Sequence, residues 1–120
     1  MEFTQQEPNL NTVISIDESC ITLSHIRLNI PCFISSNKAE EVSISALEDI
    51  SKENLFPLLS QKSLDLLIIG TGKNSKFLSP KQQVSLSELG LSVECMNNVS
   101  ACSSFNLLIS DLRPVGLLIL

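Results

Sequence analysis

Tryptophan and tyrosine are absent from this chain, and five phenylalanines are its only large aromatic side chains. The core must therefore be aliphatic, and runs of Ile, Leu and Val locate the buried elements. Basic residues are scarce too. Eight Lys and Arg stand against 13 Asp and Glu, for a formal charge of −5, and the eight are scattered where a phosphate backbone needs them clustered. Nucleic acid is thereby excluded as a partner. One histidine, His25, has to serve any triad or metal site, and the four cysteines, Cys20, Cys32, Cys95 and Cys102, form no C-x-x-C pair. A zinc site wants four clustered S or N ligands, so no metal, cofactor or disulfide is expected. The thiols read as reduced, mostly buried small hydrophobes. Cys102 stands apart, because it falls in the first turns of a helix, where a thiolate is favoured. No apolar run approaches the ~18 residues of a membrane span, and the acidic start Met1-Glu2-Phe3-Thr4 lacks the Lys or Arg of a targeting peptide. A cytoplasmic protein is expected.

Apolar residues make up 43% of the 120 positions, enough for one domain that buries roughly two thirds of its unfolded surface. Residues 1–11 read as a flexible lead-in and 12–120 as the domain. Short strands are expected at 12–16 and 20–23, separated by the polar turn Asp17-Glu18-Ser19. Between residues 25 and 35, Ile26, Leu28, Ile30, Cys32 and Ile34 alternate strictly, predicting one strand that Pro31 confines to an edge or bulge. A short strand and a turn follow over 36–50. A helix with the stripe Leu55, Leu58, Leu59 is capped by Ser51 or Asn54, and Pro57 favours the later cap. The run 64–69 predicts a central strand covered on both faces. Ser79-Pro80-Lys81-Gln82 is a capping box with Pro at the first helical position, and Gly90 ends that helix. A strand over 91–96, a helix from about 99 to 112 burying Ala101, Phe105, Leu108 and Leu112, and a buried strand over 115–120 complete the chain. The fold class is α/β, with a β-rich first half and a βαβαβ second half, and the runs 66–69 and 115–119 are expected to be neighbours.

Chemistry has few places to reside. Gly70-Thr71-Gly72-Lys73-Asn74 lies at the C-terminal end of the expected central strand, where open α/β sheets bind ligands. Its glycines serve a tight turn with positive φ, or let backbone N–H groups approach an anion or partner. The segment is neither G-x-G-x-x-G nor a P-loop, and the helix starts only after Ser79. Glu94 and Met96 end the next strand. Glu94 alternates with apolar positions and reads as a solvated carboxylate or as a partner of Lys73 or Arg113. Asn106 and Arg113, seven apart, share one side of the last helix if it extends that far. Arg113 suits that helix end, and its preferred partner is Glu94. No Ser-His-Asp or Cys-His set assembles.

In order, Gly70-Thr71-Gly72, then Gly90-Leu91-Ser92-Val93-Glu94-Cys95-Met96, then Ala101-Cys102-Ser103-Ser104-Phe105-Asn106-Leu107-Leu108, and Arg113 before an apolar end resemble the Mth938-like family. The likeness covers residues 65–120 in detail and the first half in layout. It implies a three-layer α/β fold with a mixed central sheet. It also implies a role in protein assembly, since the eukaryotic relatives include a mitochondrial complex I assembly factor. It brings no catalytic residues. Where the family usually has Asp-Thr this chain has Asn97-Asn98, and Ser103 replaces a common Arg, so charged contacts through those positions do not carry over. The expected function is thus a non-enzymatic assembly or interaction factor, with a respiratory-chain complex as the object the relatives suggest. An unidentified protein partner would meet Gly70, Thr71, Gly72, Lys73, Glu94, Met96, Asn106 and Arg113. The alternative is a binding protein or enzyme that takes a small anionic ligand in a crevice near residues 70–72.

Overall fold

Two nearly continuous apolar runs and a proline that interrupts a third decide the architecture. A computed structural model of the chain describes Glu2, residues 10–59 and residues 64–120. In order come β1 (Ser15–Ile16), β2 (Cys20–Thr22), β3 (Arg27–Asn29), β4 (Cys32–Ser35), β5 (Ala39–Glu41), a 3₁₀ turn (Leu47–Asp49), α1 (Lys52–Leu59), β6 (Leu66–Gly70), α2 (Pro80–Ser87), β7 (Ser92–Met96), α3 (Asn98–Ser110) and β8 (Val115–Ile119). The first three strands form a small antiparallel sheet, and the other five form a sheet in the order β5-β4-β8-β6-β7. β6 and β8 pair in parallel at its centre, Leu66 opposite Val115 and Gly70 opposite Ile119, as the two apolar runs predicted. β7 is parallel to β6, whereas β4 is antiparallel to β8, so the sheet is mixed.

Alternation along the central strands builds two cores. Cys32, Ile34, Ile68, Leu117 and Ile119 point to one face, where Ala101, Cys102, Phe105 and Ile109 of α3 meet Ile16, Ile21 and Leu28 of the small sheet. Phe33, Leu67, Ile69 and Leu118 point to the other, against Leu47, Leu55 and Leu86. Each fully buried aliphatic or Phe side chain contributes roughly 1.5–3 kcal/mol of transfer free energy. The result is three layers: small sheet and α3, central sheet, then α1 and α2. Two right-handed crossovers that step across the sheet in opposite directions place their helices on opposite faces. The path from β6 out to β7 carries α2 on one face, and the path from β7 back over β6 to β8 carries α3 on the other.

Local sequence fixes the helix starts. Ser79 Oγ accepts from Gln82 N and Gln82 Oε1 accepts from Ser79 N, closing the expected capping box. Gln82 also donates from Nε2 to the carbonyls of Leu47 (2.9 Å) and Ile50 (3.0 Å), tying α2 to the 3₁₀ turn. Lys52 and Glu88 form an ion pair that joins α1 to the end of α2. α2 ends at Ser87 with Glu88 as its C-cap, so Gly90, at φ +76°, turns the chain beyond the cap and is not the residue that closes the helix.

Three expectations are corrected. The alternation over 25–35 is not one strand: the chain breaks at Ile30-Pro31, leaving β3 in the small sheet and β4 between β5 and β8. β4 is therefore an interior strand, buried at all four positions, and Pro31 marks a change of sheet instead of an edge. The cap of α1 is Ser51, not the later Asn54, because Ser51 Oγ accepts from Asn54 N while Asn54 Oδ1 accepts from Ser51 N, and Pro57 sits inside the helix. α3 stops at Ser110, and Leu112, expected on its buried face, is 91% exposed at φ +60°. The lead-in over 1–11 lies outside the described residues except Glu2, Leu10 and Asn11. Of these, Asn11 is buried and donates to Ser35 O (2.7 Å) and Lys38 O (3.3 Å), so it is anchored.

Gly116 shows how closely the layers fit. A Cβ there would lie 2.8 Å from Leu64 Cδ1 and 3.0 Å from Phe33 Cε1. Gly116→Ala is expected to cost about 1–3 kcal/mol by overpacking. Urea unfolding checks this, as a lower midpoint at unchanged slope; an unshifted midpoint would mean that the Phe33 ring moves freely.

Candidate functional site

β6 and β7 end side by side, with Gly70 opposite Met96. Their connections leave toward opposite faces, so the gap between the two strand ends is a topological switch point, the usual ligand position in open α/β sheets. Here that gap is stitched together. Thr71 N donates to Met96 O at 2.9 Å, Asn98 N donates to Gly72 O at 2.8 Å, and Gly72 N donates to Asn98 Oδ1 at 2.9 Å. The Thr71 hydroxyl holds its own loop, lying 2.7 Å from Asn74 O and accepting from Lys76 N at 3.1 Å. Both glycines have a structural cause. A Cβ on Gly70 would stand 2.5 Å from Asn98 Oδ1, so only glycine admits the stitching amide, while Gly72 turns at φ +94°.

The start of α3 offers little to an anion. Asn97 caps it by accepting from Ser100 N at 2.9 Å, and Asn98 N is already spent on Gly72. Helix N-termini bind anions through such free N–H groups, and two of the first three are used internally. Outside the stitch lies an open depression of about 440 Å³ lined by Ile16, Asp17, Glu18, Gly72, Lys73, Asn97, Asn98, Val99 and Leu120. Lys73 Nζ pairs with Glu18 Oε1 at 3.0 Å, both side chains more than four-fifths exposed, so the contact is worth at most ~1 kcal/mol. Asp17 accepts from Ser19 N and Cys20 N, and these backbone bonds hold its carboxyl below the usual range. Arg27 lies 3.6 Å from Asp17, so each carboxylate of this lip has a cation beside it.

The remaining expected site residues do not converge there. Glu94 is exposed on β7, level with Ile68 and, through it, with Leu117. Arg113 is exposed at the other end of the molecule, beside a depression of about 200 Å³ bordered by Ser36, Asn37 and Leu64. Strand spacing separates the two by about 10 Å across the sheet and ~13 Å along it. The expected Glu94–Arg113 pair is therefore not formed, nor is Glu94–Lys73, since Lys73 is held by Glu18. Asn106 serves the fold. Its Oδ1 accepts from Val13 N at 2.8 Å and its Nδ2 donates to Val13 O at 2.9 Å, so one amide ties the segment before β1 to α3. It does not share a helix side with Arg113, because α3 has ended by then. Met96 Sδ lies 3.7 Å from Ser104 Oγ, at the seam of β7 and α3. Asn98, set aside by sequence reasoning as a departure from the family pattern, is the residue that closes the gap. An Asn at a helix start signals a cap, and nothing in a single sequence signals the loop it reaches.

The thiols are quiet. Burial, and then Cys32, push the Cys102 thiol up to about 12, so desolvation outweighs the helix start that was expected to favour a thiolate. Burial, Glu41 and Cys20 push Cys32 up to about 12 as well. Burial also raises Cys95, partly offset by a backbone hydrogen bond from Leu78. His25 is exposed between β2 and β3. Among the described residues no group of three or more His, Cys, Asp or Glu is placed to hold a metal ion, and no helix is long and apolar enough to cross a membrane.

Residues 13–120 match the profile of a family described as a protein of unknown function, DUF498/DUF598. The chain is 29% identical over 85 residues to NADH dehydrogenase [ubiquinone] 1 alpha subcomplex assembly factor 3 of Xenopus tropicalis, covering 69% of this chain and 46% of that one. It thus spans about half the length of the curated relatives it matches. Among solved structures, a Bordetella parapertussis protein superposes with a TM-score of 0.81 at 23% identity, over 96% of this chain and 98% of that one. A Bordetella pertussis protein described as a Mth938-like domain gives 0.77 at 20% identity, over 100% and 91%. These likenesses establish the fold.

Asn106→Ala is expected to destabilise by about 1–3 kcal/mol, because it leaves both polar groups of the buried Val13 backbone without their partner. Chemical denaturation checks it, and an effect near zero would return Asn106 to the exposed surface. The two buried thiols set a pH dependence. Their pKa values rise on folding from 9.0 to about 12, so the stability they contribute is complete below pH 9 and is lost as pH rises toward 12. With no tyrosine to titrate there, the melting temperature by far-UV circular dichroism should fall above pH 9, and a Cys32→Ala, Cys102→Ala variant should fall less steeply.

Proposed function

The chain belongs to the DUF498/DUF598 family of proteins of unknown function, and from that premise we propose that it is a non-enzymatic assembly factor, working by protein contact on a respiratory-chain complex. The observation that carries this reading is the stitched switch point. The position where this class of sheet ordinarily holds a substrate is filled by the chain's own hydrogen bonds between Thr71, Gly72, Met96 and Asn98. Outward stand exposed apolar side chains, Phe77 at 74%, Val84 at 68% and Phe56 at 60%, which a partner protein would cover. The relatives named as assembly factors for NADH dehydrogenase point to the same class of work.

The partner-facing residues in this proposal are the exposed members of the expected set, Lys73, Glu94 and Arg113, with Gly70, Thr71, Gly72 and Met96 shaping the loop ends and Asn106 removed to the fold. Four unpaired cysteines suit a reducing compartment, and we place the work in the cytoplasm. A small anionic ligand near residues 70–72 has less support, since Lys73 already pairs with Glu18 and two helix-start donors are spent.

Affinity capture of the tagged chain from its native source, followed by mass spectrometry, tests the proposal. The expected result is enrichment of subunits of a respiratory NADH dehydrogenase, reduced at least severalfold by combining Lys73→Glu, Glu94→Lys and Arg113→Glu. A chain that retains a tightly bound small molecule and enriches no such subunit would contradict it.

A further inference from the structure

β7 is the outermost strand of the central sheet, and among the described residues nothing pairs with its outer edge. Ser92 N donates to Asp65 O, and Met96 O accepts from Thr71 N. In a parallel ladder alternate residues share one side, so the backbone groups of Ser92, Glu94 and Met96 face β6 while those of Val93 and Cys95 face outward. Ser92–Met96 carries no proline, lysine or bulge, and Glu94 is its one charged side chain. Side chains alternate as well: Val93 and Cys95 lie toward α2, and Met96, with Glu94 in the same phase, toward α3. On the α2 side an open groove of about 420 Å³ runs along the strand, walled by Leu78, Leu86, Leu91 and Val93, with the exposed Phe77 at its rim and no charged residue in its lining.

Building on the reading of the chain as an interaction factor, we propose that the outer edge of β7 docks an extended segment of a partner protein as a sixth strand, with Lys or Arg opposite Glu94 and apolar side chains at the two flanking positions. The outward N–H and C=O groups of Val93 and Cys95 supply main-chain hydrogen bonds, and the groove receives the flanking apolar side chains, as strand addition requires. Charge selects the occupant. Glu94 is the single charge on the strand, and no cation pairs with it among the described residues. A second copy adding antiparallel with all five residues overlapped would set Glu94 directly opposite Glu94, which like charges oppose, whereas a basic residue there forms a favourable cross-strand pair.

The test titrates isotopically labelled protein with an acetylated, amidated octapeptide alternating Val and Lys, and with its Val–Glu counterpart, followed by NMR and amide hydrogen exchange. The expected result is that the Lys peptide shifts and protects the Val93 and Cys95 amides, that the Glu peptide binds about tenfold more weakly, and that Glu94→Lys reverses the preference. Val93→Pro, which removes an outward N–H and leaves the ladder to β6 intact, should weaken the Lys peptide further while the remaining spectrum stays folded. No perturbation at β7, no discrimination between the peptides, or protection that grows with protein concentration alone, meaning self-pairing, would each overturn the proposal. A captured partner whose footprint misses β7 sinks the edge and leaves the assembly role standing. Peptide binding at β7 by a chain that captures no respiratory subunit does the reverse.

Discussion

A single close approach, Asn98 lying over Gly70 at the end of the central strand, determines what this fold can do. The parallel pairing of β6 with its neighbours brings two loop ends together at the switch point. Any side chain on Gly70 would collide with the Asn98 amide, and without that amide Gly72 N loses its acceptor. Through the same residue α3 is fixed to the loop after β6, so the helix, the sheet end and the loop form one closed surface. The joining of the two strand ends follows from packing and hydrogen bonding, and the open depression of about 440 Å³ lies outside that stitch.

Away from that closure, the rest of the architecture leaves surfaces. The small sheet and Asn106 cover one side of α3, and α1 and α2 cover the opposite face of the sheet, but β7 carries no strand on its outer side among the described residues. Exposed Phe56, Phe77 and Val84 belong to the α1 and α2 layer or its approach. Burial of polar groups is elsewhere complete, with every buried side-chain nitrogen and oxygen among the described residues hydrogen-bonded. A strand edge and apolar side chains left open on such a well-satisfied molecule fit a protein that completes itself on a partner.

Much of the frame is legible from residues alone, because its signals are local or repetitive. The runs that became β6 and β8 are too apolar to face water on either side, and Ser79, Pro80 and Gln82 write the start of α2 in capping chemistry. The division of 25–35 between two sheets is not legible, since the alternation keeps its phase across Pro31 and only the tertiary arrangement assigns the halves. Leu112 fits a helical stripe by count, yet the helix has already ended. The site is less readable than the frame. Gly70, Thr71, Gly72 and Met96 do meet, because strand ends are local features. The imagined Glu94–Arg113 pair failed because it depended on strand order and direction, with β6 standing between β7 and β8. Asn98 was missed because its partner lies 26 residues away in sequence.

In the function proposed above, the named relatives suggest the object of the work and the stitched switch point its character. The most direct measurement is the amount of fully assembled respiratory NADH dehydrogenase, resolved on a native gel from cells with and without this chain. The account predicts loss of the mature complex and accumulation of a smaller assembly intermediate in its absence, with the chain itself bound to the intermediate and missing from the finished complex. Normal amounts of mature complex in cells that lack the chain would contradict it.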